Sequence, residues 1–212
     1  MIKINEIYLS VQGESSHTGL PCVFIRLTGC NLRCSWCDTA YAFHEGKNMS
    51  IDEILGKVSG FGVSLVEITG GEPLMQDSVY PLMEKLIEKG HRVMLETGGS
   101  ISLERVPKEV IKIMDLKCPG SGEQEKNHLE NLKLLSPDDE VKFVILDRKD
   151  YEWSRDLIKK HKINETAHIL LSPVFEKLDL KDLVKWMLED RLPVRLQTQL
   201  HKIIWDKNTI GV

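Results

Sequence analysis

Cys30, Cys34 and Cys37 lie in the stretch Cys30-Asn-Leu-Arg-Cys34-Ser-Trp-Cys37, with three and then two residues between them. The chain has five cysteines, the others being Cys22 and Cys118. An odd number with three crowded together is a poor disulfide framework and points to metal or redox chemistry. Three thiolates from one loop can take three corners of an iron–sulfur cubane and leave the fourth iron without a protein ligand. An open iron is suited to catalysis, as the open position of a catalytic zinc is. Other uses of the same residues compete. A structural zinc knuckle needs a fourth ligand, for which His44 and Cys118 are candidates; a ferredoxin-like carrier wants four cysteines per cluster. Plain buried thiols leave the clustering unexplained. The spacing favours the open cluster.

These residues must be held by the elements around them. Runs rich in β-formers at 22–27, 65–69, 92–96, 111–116, 141–146, 168–171 and 194–197 read as strands. Helical patterns fall at 51–58, 78–89, 129–135, 151–161 and 180–189, the first opened by a capping box of Ser50 and Glu53. The alternation predicts an α/β fold, a parallel sheet or partial barrel with helices outside. Polar or glycine-rich segments at 29–39, 70–73, 97–100, 117–122 and 172–175 each follow a strand. Loops at the carboxyl ends of such strands converge on one mouth, so these five are expected to share a cavity. In Thr69-Gly70-Gly71-Glu72-Pro73 the glycines allow close approach to backbone carbonyls, and a carboxylate favours an ammonium. Alone, the same residues read as a turn before a helix. The segments 120–128 and 198–212 carry no motif that assigns them a role.

Composition narrows the classes. The 212 residues are 42% hydrophobic and 28% charged, ordinary for a globular protein, and fit a single domain spanning 1–212. With 28 basic against 32 acidic residues the net charge is −4, so no basic field points to nucleic acid. No apolar run approaches the ~20 residues a membrane helix needs. The start, MIKINEIYLSVQGE, lacks the basic and apolar regions of a signal peptide, which points to the cytoplasm.

The block CNLRCSWC, with an aromatic residue just before its last cysteine, resembles the signature of the radical S-adenosylmethionine superfamily, and TGGEP resembles that superfamily's glycine-rich motif. QGE at 12–14, RLTGCNLRCSWCDT at 26–39, ETGGS at 96–100 and the stretch 197–202 together resemble the 7-carboxy-7-deazaguanine synthase family, from about residue 4 to Trp205. The resemblance implies a reduced partial (β/α) barrel with a mostly parallel sheet. It implies a [4Fe–4S] cluster on Cys30, Cys34 and Cys37, shielded by Trp36. S-adenosylmethionine is then expected at Gly70, Gly71, Glu72, Asp115, Leu116, Lys117, Ser172 and Pro173. Mg2+ is expected at Thr39, with Asp38 as a candidate second oxygen. The implied substrate is a carboxylated tetrahydropterin, contracted with loss of ammonia. Its polar edge and carboxylate are assigned to Gln12, Gly13, Glu14, Arg26, Thr69 and His201, with Lys202 nearby. Implied partners are an electron donor such as flavodoxin or ferredoxin, and a second copy in a homodimer. Two rivals remain: an activase installing a glycyl radical on a protein, and a non-catalytic iron–sulfur or zinc module.

Overall fold

The computed structural model describes residues 1–207 and 209–212. β1 (Ile2–Val11) runs antiparallel to β2 (Pro21–Leu27) and to the short β3 (Lys47–Met49). The chain continues through α1 (Ile51–Gly60), β4 (Leu65–Gly70), α2 (Val79–Glu88), β5 (Arg92–Thr97), β6 (Ile111–Asp115) and β7 (Glu140–Ile145). It ends with α3 (Arg148–His161), β8 (His168–Pro173), α4 (Leu180–Glu189), β9 (Arg195–Leu196) and the single turn α5 (His201–Ile204). Among the described residues the strands form one open sheet in the order β3-β1-β2-β4-β5-β6-β7-β8-β9. Every pairing from β2 onward is parallel. Among the described residues no helix is long and apolar enough to cross a membrane.

Local chemistry explains most boundaries. Ser50 and Glu53 form the expected capping box, and α1 buries Ile54 and Val58 one turn apart. α3 starts earlier than the periodicity predicts, because the Asp147 side chain accepts from the N–H groups of Lys149 and Asp150. The helix expected at 129–135 is instead a 3-10 segment, Leu129–Leu134. Within it the buried Asn131 side chain accepts from Leu103 N and donates to Ile101 O, 2.9 and 2.8 Å away, tying the segment to the β5–β6 connection. The strand expected at 194–197 shortens to Arg195–Leu196 at the sheet edge. β1 was not expected as a strand; its inward Glu6 serves the site, which hides the alternation.

The two faces of the sheet divide the labour. Val23, Ile25, Val66, Ile68, Val93 and Leu95 join the main core under the helices, with Leu82, Met83 and Leu86 of α2. Each such side chain contributes roughly 1.5–3 kcal/mol by leaving water. Residues in between point the other way. Cys22, Phe24, Leu65, Met94, Ile111 and Ile113 form a second, smaller apolar cluster. Along these inner rows, toward the carboxyl ends, the side chains become polar: Arg26 follows Phe24, Glu67 and Thr69 follow Leu65, Glu96 follows Met94, and Asp115 follows Ile113. The inner face is dry at its base and charged at its mouth.

Candidate functional site

A cavity of about 720 Å³ occupies that mouth, and all five expected loops reach it. Cys30, Cys34 and Cys37 line it, are half-buried, and carry free thiols. Burial pushes the Cys30 and Cys34 thiols above their ordinary range, with Lys117 acting against the rise. A metal that takes them as thiolates therefore releases protons on binding. The possible fourth ligands lie elsewhere: Cys118 is buried with its Sγ 3.3 Å from Ser154 Oγ, and neither it nor His44 lines the cavity. Three cysteines on one loop, without a fourth beside them, fit a cubane with one open corner.

Close backbone contact joins the cysteine loop to the glycine-rich loop. A Cβ on Gly71 would sit 2.3 Å from Gly29 O and 2.6 Å from Cys30 Cβ, so glycine is required there. Glu72 N donates to Gly29 O at 2.8 Å. The Glu72 side chain does something other than expected. It is fully buried, does not line the cavity, and accepts from Leu74 N, Gly98 N and Thr97 Oγ1 at 3.1, 2.8 and 2.9 Å. It clamps two loops together, which leaves an incoming ammonium to the backbone around Gly70 and Gly71. Leu116 also departs from expectation: its side chain is buried in the main core, because alternate residues of an extended segment face opposite ways. Asp115 and Lys117 on either side do line the cavity, 2.9 Å apart as an ion pair. Trp36, Thr39, Thr69, Gly70, Gly71, Ser172 and Pro173 line it too.

The floor is a network of buried charge centred on Lys142. Its Nζ lies 2.8 Å from Glu14, 2.5 Å from Glu96 and 3.8 Å from Asp115. Burial opposes charge here, but Glu14, Glu96 and Asp115 outweigh it and hold the Lys142 ammonium well above its usual range. For Glu96 burial is likewise outweighed, by Lys142, and its carboxyl is held down at about 2. Thr69 Oγ1 also donates to Glu96 at 3.0 Å. Glu67 is the opposite case. Burial, then the neighbouring Glu96 and Glu14, push its carboxyl well above the usual range, and it accepts from Gln12 Nε2. The same amide accepts from Glu14 N at 2.9 Å, so Gln12 is oriented at both ends. Glu67 and Lys142 were not singled out from the sequence. The available signal was a charge inside an otherwise apolar strand, LVEITG and EVKFVI.

Arg26 lines the cavity with its plane set by two partners, Glu6 on Nε at 2.7 Å and Tyr8 OH on Nη2 at 3.0 Å. The C-terminal stretch, of which only His201 and Lys202 are expected near the substrate, reaches the mouth: Gln199, His201, Lys202 and residues 209–212 all line the cavity. Lys202 Nζ sits 2.6 Å from Asp38, tying α5 to the residue after the last cysteine. Lys202 holds the Asp38 carboxyl below the usual range. Leu200 N donates to Gly13 O at 2.9 Å, and a Cβ on Gly13 would meet His201 Nδ1 at 2.3 Å. Gly13→Ala is thus expected to displace His201 and lower kcat/KM by about 10²-fold, the scale of a 1 Å misplacement. Steady-state kinetics checks this; unchanged constants would show that the seat of α5 on Gly13 is immaterial.

A family model described as the Radical SAM superfamily matches residues 24–187. The chain is 49% identical to the 7-carboxy-7-deazaguanine synthase of Koribacter versatilis, with 100% of both chains covered. It is 45% identical to the enzyme of that name from Chlorobaculum tepidum, covering 100% of this chain and 97% of the relative. Among solved structures, QueE from Escherichia coli matches with a TM-score of 0.77 over 94% of each chain at 24% identity, a likeness of fold. Sheet, cysteine loop and full-length relatives agree: the chain belongs to the 7-carboxy-7-deazaguanine synthase family of the radical SAM superfamily.

Proposed function

We propose that this protein is a 7-carboxy-7-deazaguanine synthase, contracting 6-carboxy-5,6,7,8-tetrahydropterin to 7-carboxy-7-deazaguanine with loss of ammonia. One observation carries the reading: a single cavity joins three free cysteines to a floor of paired charges. Cys30, Cys34 and Cys37 would hold the [4Fe–4S] cluster, and Gly70, Gly71, Asp115, Lys117, Ser172 and Pro173 border the space for S-adenosylmethionine. When bound, cluster and S-adenosylmethionine supply one-electron cleavage and hydrogen abstraction.

The protein's own work is recognition and shielding. Arg26, held in plane by Glu6 and Tyr8, offers a planar cation to the substrate carboxylate. Glu14 and Glu96, neutralised in part by Lys142, present oxygens to the N–H edge of the pterin, with Gln12 and Thr69 fixing their positions. Trp36, beside Cys37 in sequence, and His201 both line the cavity and help to exclude water from it. Arg26 and the paired charges of Glu14, Glu96 and Lys142 favour a small anionic molecule over the protein loop an activase would admit, and a non-catalytic module has no use for the charged floor. The family likeness supports a cytoplasmic homodimer reduced by flavodoxin or ferredoxin.

Thr39 is the proposed Mg2+ ligand. Its hydroxyl faces the cavity 3.8 Å from Cys37 Sγ, whereas Asp38 is engaged by Lys202. Mg2+ keeps several waters and needs few protein oxygens, so one hydroxyl suffices when the substrate supplies others. Thr39→Ala is expected to raise the Mg2+ concentration for half-maximal rate about tenfold, as loss of about 1.4 kcal/mol does. An unchanged Mg2+ titration would remove Thr39 as a ligand.

The test of the whole reading is anaerobic. The cluster is reconstituted and reduced, S-adenosylmethionine and the carboxylated pterin are added, and products are followed by mass. A product lighter by ammonia, formed only with Mg2+, is the expected result. Cleavage of S-adenosylmethionine with the pterin unchanged would refute the substrate; zinc without iron or sulfide would refute the class.

A further inference from the structure

The segment 117–127 has no part in the chemistry described above beyond Lys117, yet it lies along the cysteine loop and bonds to it repeatedly. Arg33 N, next to Cys34, donates to Glu123 Oε1 at 2.6 Å. Ser35 N donates to Ser121 O at 3.0 Å, and Ser35 Oγ to Gly120 O at 2.9 Å. Lys126 Nζ reaches Asn31 O at 3.3 Å. All of these fall on residues between the three cysteines.

The segment is itself fastened from behind. The Asn127 side chain accepts from Lys117 N and donates to Lys117 O, each at 2.9 Å, closing the segment into a loop. Gly120 N donates to Asp150 Oδ1 at 2.8 Å, and Asp150 belongs to α3. A Cβ on Gly120 would meet Asp150 Oδ2 at 2.7 Å, so a larger residue there would push against this anchor. Glu123 is 7% exposed although charged; its second oxygen is met by Lys126 at 2.8 Å. A buried side-chain oxygen fixed at a backbone N–H satisfies that N–H in one geometry, which is what positioning requires.

We infer that residues 117–127 form a template that holds the cysteine loop in its ligating shape, with Glu123 the positioning residue acting through Arg33 N. A loop already held in one shape loses less conformational freedom when its thiolates bind iron. It keeps the cluster longer for the same reason. This rests on the cluster assignment above and adds to it a role for the segment that faces the loop from outside the cavity.

The experiment compares wild type, Glu123→Ala, Glu123→Gln and Ser35→Ala after anaerobic reconstitution. It reads iron release to a ferrous chelator, the spectrum of the reduced cluster by electron paramagnetic resonance, and the melting temperature of the iron-free proteins. Glu123→Ala is expected to release iron about tenfold faster, the low end of what loss of a ligand-orienting partner does, and to broaden the cluster spectrum. Glu123→Gln keeps an acceptor for Arg33 N and is expected to stay within about twofold of wild type, with melting temperatures similar throughout. Wild-type iron release in Glu123→Ala overturns the inference, and so does equal damage in Glu123→Gln, which would make charge rather than positioning the cause. If Glu123→Ala does not fold, Ser35→Ala decides: faster release supports the template and wild-type release refutes it. A wild-type protein that takes up no iron would refute the cluster assignment itself.

Discussion

Cys34→Ala is expected to abolish both S-adenosylmethionine cleavage and pterin turnover, by more than about 10³-fold, while Cys22→Ala keeps activity within about threefold. The contrast follows from position rather than residue type. Cys34 lines the cavity on the loop that carries Cys30 and Cys37. Cys22 is fully buried at the apolar base of the inner face, and burial pushes its thiol far above the ordinary range. Removing Cys34 takes away one of three ligands that act as a unit; removing Cys22 leaves a small cavity worth about 1 kcal/mol. Iron and sulfide analysis, product formation and urea unfolding separate the two effects. Similar losses of activity in both variants would mean that the cluster has been placed on the wrong cysteines.

Lys142→Met is the other large effect, and it falls on stability as well as turnover. Lys142 is 7% exposed and compensates Glu14, Glu96 and Asp115 in one place. Removing one partner of a buried pair while the other stays costs about 3–5 kcal/mol. Without that cation Glu14 and Glu96 repel each other, so pterin turnover is expected to fall about 10²-fold or more, as for a misplaced binding group. The pH dependence has a definite sign. With Lys142 present the Glu96 carboxyl is held at about 2, below its unfolded value near ~4.3. Its contribution is therefore complete above about pH 4.3 and is lost as pH falls through about 2. In Lys142→Met, burial of Glu96 is opposed only by the Thr69 hydrogen bond and the charge of Arg26, so its carboxyl rises and that variant is most compromised at neutral pH. The gap in unfolding free energy between wild type and variant should be widest near pH 7 and narrow below about pH 4. Urea unfolding at both pH values checks this, and a variant as stable as wild type at pH 7 would show that the network is not held by Lys142.

Much of the candidate site was legible before any coordinates. CNLRCSWC put three candidate ligands on one loop, and TGGEP followed a strand that does lie beside the strand leading into that loop. The strands and the capped helix α1 were readable because periodicity and capping depend on neighbours within a few residues. The side chains that turn away from the cavity have equally local explanations. Leu116 sits between two cavity residues in sequence but on the other face, and Glu72 has a ligand-binding neighbourhood but three internal hydrogen bonds that turn it away.

By itself, then, the sequence determined the kind of chemistry and the alternation of elements that carries it, because ligand spacing and backbone period are short-range properties. Tertiary structure decided the rest. The cavity floor depends on Lys142 meeting Glu14 across 128 residues and Glu96 across 46. The seat of the C-terminal segment at the mouth depends on Lys202 reaching Asp38 across 164, and the brace on Glu123 reaching Arg33 across 90. No period or spacing encodes such pairs. They exist because folding brings distant strands and loops into one small volume of low dielectric, where they must satisfy one another's charges.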